Sequence, residues 1–196
     1  MSPNKQAPEN IFEIIRGVYN TLPRVAGSIL PHKRDLNPAA IKSCLPYILL
    51  AEHIGGGDLR YRLAGTHTTE IVGHEITGKT FNDLGFTNQT IKKHKCSLFE
   101  KMFRHPCGLY SKRRLPHDNG TTWEYHALYL PMHHDAKDPD MALIATKLVA
   151  VDHDENLSLV GKFRFYDVEL IETDFIDLGA GTPDDMPYTH SMVPAE

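Results

Sequence analysis

No stretch of this chain stays apolar for the roughly 18 residues that a membrane-spanning helix needs, so the expectation is a protein outside the membrane. Cysteine is scarce. Cys44, Cys96 and Cys107 are widely spaced and form no CxxC pair, which argues against both a disulfide framework and a structural zinc. A basic excess is missing too. The 21 Lys and Arg face 25 Asp and Glu and leave a formal charge of −4, the wrong sign for a bulk nucleic-acid binder. The opening MSPNKQAPEN has no apolar core of the kind a secretory signal carries, so the expected location is the cytoplasm. Nucleophile and phosphate motifs are also lacking. GxSxG, HExxH and a Walker-type loop do not occur, and the glycines at 55 to 57 lie between two strand patterns rather than ahead of a helix. No room remains for a kinase, cyclase or phosphodiesterase segment, so the chain is expected not to be an enzyme and to signal, if it signals, by binding.

What is present fits one domain with extra helices or a tail. A chain of 196 residues buries roughly 70% of its unfolded surface. It needs no staples to hold a core. The apolar fraction is 41% and the charged fraction 23%, which excludes a disordered or fibrous chain. Twelve histidines are the one oddity. Protonating them would reverse the sign of the net charge, so the surface potential should respond to pH near 6.

Patterning then orders the elements. Ile11, Ile14, Ile15, Val18 and Leu22 recur at helical spacing behind Asn10, predicting an amphipathic helix over 10–20 that Pro23 ends. Asn37 and Pro38 open a short helix. Residues 47–54 and 59–66 read as a hairpin. Short helical pieces follow at 66–73 and 77–84, then a longer helix from the cap Asn88 to Arg104. Strands are expected at 108–115, 121–134 and 141–152, and an ordered segment of open type at 160–171. The chain thus divides into a lead and helix over 1–22, a domain over 23–178 and a disordered tail over 179–196. Its fold class is α+β: a five-stranded antiparallel sheet with helices on one face, plus the N-terminal amphipathic helix.

The residues carry a resemblance. LPYILLAEHIGGGDLRYRLAGTHTTEIVGHEITGKTFNDL, with Leu45-Pro46, Arg60–Thr66 and Gly73–Lys79, resembles the opening half of the small stand-alone PAS proteins typical of alphaproteobacteria. WEYHALYLPM, with Glu124 and Leu130-Pro131, is similar to that family's penultimate strand, and FIDLGAGTP has its flavour. The resemblance spans about residues 22–183. It implies a PAS-like fold and a sensory or adaptor role, and it names no ligand, because fold does not fix function.

Several constellations bear on what such a domain would bind. On the helix 88–104, Ile91, Leu98, Phe99, Met102 and Phe103 define the apolar face, and Lys95 falls near its middle. A lysine facing a pocket suits an anionic ligand or a buried carboxylate; the competing reading is a stem on apolar surface with its ammonium in water. On the strand 121–134, Trp123, Tyr125, Ala127 and Tyr129 share one face. Lys95, Trp123, Tyr125 and Tyr129 are therefore the candidate pocket lining. The opposite face, with Leu128, Leu130 and Met132, suits a covering helix or a partner.

The cofactor is left unknown. In haem-binding PAS sensors a histidine of the equivalent helix holds the iron, but His94 lies about 100° from the centre of its apolar face, which argues against haem. GKTFNDL has no cysteine where flavin photosensors carry theirs, which argues against a thiol adduct. His117, His133-His134 and His153 read as polar turn residues and no metal is assigned. The expected partners are a second copy of the chain, through the helix at 10–20 or the outer sheet face, and a histidine kinase or other signalling protein. Two rivals stay open: a ligand-free interaction module, and a small enzyme using Glu124 as a base in a curved-sheet cavity.

Overall fold

The computed structural model describes residues 7–85, 89–135, 138–151, 163 and 168–183. Helix α1 (Ile11–Thr21) is followed by 3-10 turns at Lys33–Asp35 and Pro38–Tyr47. Strands β1 (Ile48–His53) and β2 (Leu59–Ala64) lead to helix α2 (Thr66–Val72), a 3-10 turn at Phe81–Leu84 and helix α3 (Gln89–Arg104). Strands β3 (Gly108–Pro116), β4 (Thr122–Met132), β5 (Met141–Ala150) and β6 (Glu169–Ile176) complete the chain. All six strands form one antiparallel sheet in the order β2-β1-β5-β4-β3-β6.

Local chemistry explains the joints. Asn37 accepts a hydrogen bond from the Ala39 amide, with Pro38 in the first helical position. Asn10, by contrast, makes no side-chain cap to α1. The β1–β2 turn runs through Gly55, Gly56 and Gly57, all at positive φ. At Gly57 the reason is also contact: a Cβ there would stand 1.9 Å from the Cys96 carbonyl oxygen, so only glycine lets the turn lie against α3. The Gly57 amide then donates to Glu100 on the same helix. The proposed cap Asn88 lies outside the described residues.

The expected class holds, with two corrections. The sheet has six strands rather than five, because β6 pairs along the free edge of β3. Ile171 is skipped where Lys112 faces Glu172 and Arg113 faces Leu170. That bulge breaks the alternation that would have marked the strand. Helical elements also cover both sheet faces. On the outer face, Ile11, Ile15 and Tyr19 of α1 are buried with Ile41 and Tyr47 against Leu128, Leu130, Leu143 and Ala145. The Tyr19 hydroxyl donates to the Pro131 carbonyl. On the inner face, α2, the Phe81–Leu84 turn and α3 pack on Leu49, Ala51, Trp123, Tyr125, Ala127, Tyr129 and Ile144. The tail expected from 179 is described only to 183, where the Gly179 and Gly181 amides donate to the Asp177 carboxylate.

Candidate functional site

Two hollows compete. The wider, about 500 Å³, is an open groove along α3 beside Gln89, Lys92, Lys93, Lys101 and Arg104. Lys93 and Arg104 are exposed there, so water already solvates their charge and little is gained by a ligand. The smaller, about 30 Å³, lies inside the molecule between α2, the Phe81–Leu84 turn and the inner sheet face. It has room for about one water molecule. Its wall is apolar at Leu49, Val72, Ile76, Phe81 and Leu84, and polar at Tyr61, Thr68, Arg113 and Tyr125. This is the hollow in which polar groups have been taken out of water, and it is the candidate site.

Arg113 arrives there by strand alternation. Along β3, Leu109, Ser111, Arg113 and Leu115 alternate as buried positions, while Lys112 and Arg114 point to the other face. The Arg113 side chain is 6% exposed and its guanidinium carbon lies 4.9 Å from the centre of the Tyr125 ring. Its Nε has no hydrogen-bond acceptor. Lys95 comes from α3 and is fully buried. Its Nζ lies 5.0 Å from the Tyr129 ring centre and 5.2 Å from that of Phe99, and it too lacks an acceptor.

Electrostatics follow from that placement. Burial drives the Lys95 pKa well below the usual lysine value, and the positive charge of Arg113 drives it lower. Two ring contacts are worth about 1–4 kcal/mol together, whereas burying an ammonium costs several kcal/mol after relaxation. The neutral amine therefore wins when nothing anionic is present. Burial also raises the tyrosines. Tyr61 goes well above its ordinary value, and Tyr125 to about 12 against the opposing pull of Arg113. Both phenols stay protonated and able to donate. Among the described residues no Asp or Glu side chain is buried.

The four residues singled out from the sequence do not all meet. Tyr125 lines the cavity. Lys95 and Tyr129 are brought together one layer away, with the Phe99 ring 5.3 Å from Tyr129. Trp123 shares the inner face but sits apart, its indole donating to the Thr121 hydroxyl and its ring edge-on to Phe163. Arg113 was missed because SKRR reads as a solvated charge run. Leu109 and Leu115 at the same parity as Arg113 were the available signal. His67 was missed as well. It is buried on α2, edge-on to the Tyr47 ring at 4.7 Å, and burial lowers its pKa to about 4.

The remaining candidates fall elsewhere. Glu124 lies on the outer face, 3.0 Å from Lys112 and 3.2 Å from His126, and does not line the cavity in which it was expected as a base. His94 is half-buried on α3, its pKa lowered by burial and then by the Lys95 and Lys101 charges. His117 packs edge-on to Phe163 and its Nδ1 accepts from the Asn119 amide; His133 shares a hydrogen bond with Ser28. His153, with Asp152 and Asp154, lies outside the described residues. Among the described residues no three His, Cys, Asp or Glu side chains converge on a metal position. No described helix is long and apolar enough to cross a membrane.

Comparison with curated proteins and with solved structures gives no match. A family model described as PAS domain does match, over residues 16–145. That span begins inside α1, ends inside β5 and takes in α2, α3 and the cavity under α2 and the Phe81–Leu84 turn. It covers about two thirds of the chain, and by it this chain belongs to the PAS domain family.

Proposed function

We propose that this chain is a cytoplasmic PAS-type sensory protein that takes a small ligand into the inner cavity and relays the change in packing to a signalling partner, with no catalysis of its own. Family membership supports the sensory or signalling class. The observation that carries the ligand is the cavity's polar wall, Tyr61, Thr68, Arg113 and Tyr125, set in the middle of an apolar core. Such groups are costly to desolvate and are normally paired. A ligand acts by binding one packing of α2 on the sheet better than another. A histidine kinase or another signalling protein is the kind of partner that would read it.

A second copy of the chain is the other proposed partner. The buried line of α1 is already occupied by its own sheet, but Phe12, Ile14 and Val18 are only partly covered. They offer an apolar flank to a second α1. The rival reading, a ligand-free interaction module, draws its support from the cavity's size of about 30 Å³.

Native mass spectrometry of protein purified from its own host tests both. A mass above that of the denatured chain is expected and would give the ligand's chemical class. A dimer of the 22.1 kDa chain is expected as well, and Ile14→Asp with Val18→Asp should weaken it. A dimer with no retained mass would favour the interaction module.

A further inference from the structure

We propose that the cavity holds a small carboxylate-bearing molecule, with Arg113 receiving the carboxylate, Lys95 one layer behind it supplying a second positive charge, and the aliphatic wall receiving a short apolar body. The inference rests on the reading of this cavity as a ligand site and adds the ligand's chemistry.

The charge inventory comes first. Two basic side chains, Lys95 from α3 and Arg113 from β3, are buried on the same inner face, within electrostatic reach of each other. Among the described residues no buried carboxylate answers them. A buried guanidinium without an anion is costly, and an anion brought beside it would also favour protonation of the neutral Lys95 amine.

Hydrogen bonding points the same way. Arg113 Nε and Lys95 Nζ are both shut off from solvent and both lack acceptors. Ring faces supply part of the missing interaction, but a ring face cannot saturate a directional N–H donor. A guanidinium presents a planar fork that matches a carboxylate bidentately. The Thr68 hydroxyl and the protonated phenols of Tyr61 and Tyr125 stand beside it as further donors.

The apolar wall decides between anions. Leu49, Val72 and Ile76 have nothing to offer a second polar oxygen. Inorganic phosphate, polar all round and doubly charged near neutral pH, would leave oxygens unpaired there. A carboxylate with a few carbons behind it satisfies both sides. Its body is larger than the water-sized space present, so binding must move part of the roof. The roof can yield at one end: α2 has only seven residues and closes at Gly73, which stands in open space, whereas Gly65 at its start is packed on the Pro46 backbone. The displacement that admits the ligand is then the displacement a partner would read.

The test is a titration of the full chain with sodium acetate, butyrate and succinate, and separately with inorganic phosphate, each at ionic strength matched with sodium chloride. Melting temperature and the Arg113 Nε–H resonance are the readouts. At least one carboxylate is expected to raise the melting temperature and shift that resonance. Lys95→Met and Arg113→Met should each weaken binding by about tenfold or more. If Arg113→Met does not fold, Lys95→Met carries the test, since it removes a buried amine and keeps the volume.

The proposal is overturned if no carboxylate binds, if phosphate alone binds, or if binding survives undiminished in Lys95→Met. Should the carboxylates fail while native mass spectrometry finds a retained neutral molecule, the carboxylate assignment falls and the sensory reading stands. Should both fail, both readings fall.

Discussion

The two faces of the sheet are built from the same strands and follow opposite rules. Under α1 the outer face is an apolar seam of Ile11, Ile15, Leu128, Leu130, Leu143 and Ala145, with the Tyr19 hydroxyl on the Pro131 carbonyl as its polar fastening. The inner face is larger and includes aromatics, and it surrounds Lys95, Arg113, Ser111, Thr68 and a small hollow. A layer whose task is only to hold together has no use for buried cations. Stability and recognition are thus divided between the two sides of one sheet, and side-chain alternation along β3 and β4 is what separates them.

The division predicts unequal responses to substitution. The largest effect should come from the outer seam. Ile15 is fully buried between α1 and the sheet. Ile15→Ala should cost about 4 kcal/mol, transfer and residual cavity together. Urea denaturation measures it, and binding in the inner cavity should be unchanged where the protein is still folded. A loss below about 1 kcal/mol would show that α1 is loosely held and that the seam is no structural layer.

That seam was readable from the chain because its signal is pure period. Ile11, Ile15 and Tyr19 are four apart, and Leu128, Leu130 and Met132 are two apart. The parity that sent Trp123, Tyr125 and Tyr129 inward was readable for the same reason, as was Lys95 in the middle of an apolar helical face. Arg113 was not, since its neighbours Lys112 and Arg114 make a charge run in which parity has no hydrophobic contrast. The cavity itself depends on how α2 and the Phe81–Leu84 turn settle over the sheet, which is a matter of tertiary packing. β6 was hidden by its bulge.

Acid should act next, and at the roof rather than the seam. His67 holds α2 against Tyr47, and its pKa in the folded protein is about 4. In the unfolded chain it returns to about 6.5. Between those values the unfolded state binds the proton and the native state does not. This contribution to stability is therefore complete above about pH 6.5 and is lost as pH falls to about 4, to the extent of about 3 kcal/mol. Burial lowers His94 and His126 in the same direction, so the wild-type profile carries all three. His67→Phe keeps the ring contact and removes the titration. Its stability should fall less steeply than that of wild type over this window, as followed by chemical denaturation. Identical slopes would mean that His67 is protonated in the native protein and that α2 gives way to admit it.

The smallest effect has the opposite sign and sharpens the comparison most. Methionine nearly matches lysine in volume, and the Lys95 amino group has no acceptor. Burial and Arg113 hold its folded pKa well below the value of about 10.4 that it regains on unfolding. At any pH between the two, the unfolded state carries a proton that the native state lacks, so wild-type stability rises with pH across that interval. Lys95→Met removes the difference. It should stabilise the ligand-free protein by about 2 kcal/mol at pH 7 and flatten its stability profile below the pKa that lysine has on unfolding. Making the seam smaller should thus weaken the protein, while making the inner face more apolar should strengthen it and weaken binding. A destabilised Lys95→Met protein would instead assign Lys95 to the architecture, and the two faces of the sheet would then differ in composition and not in purpose.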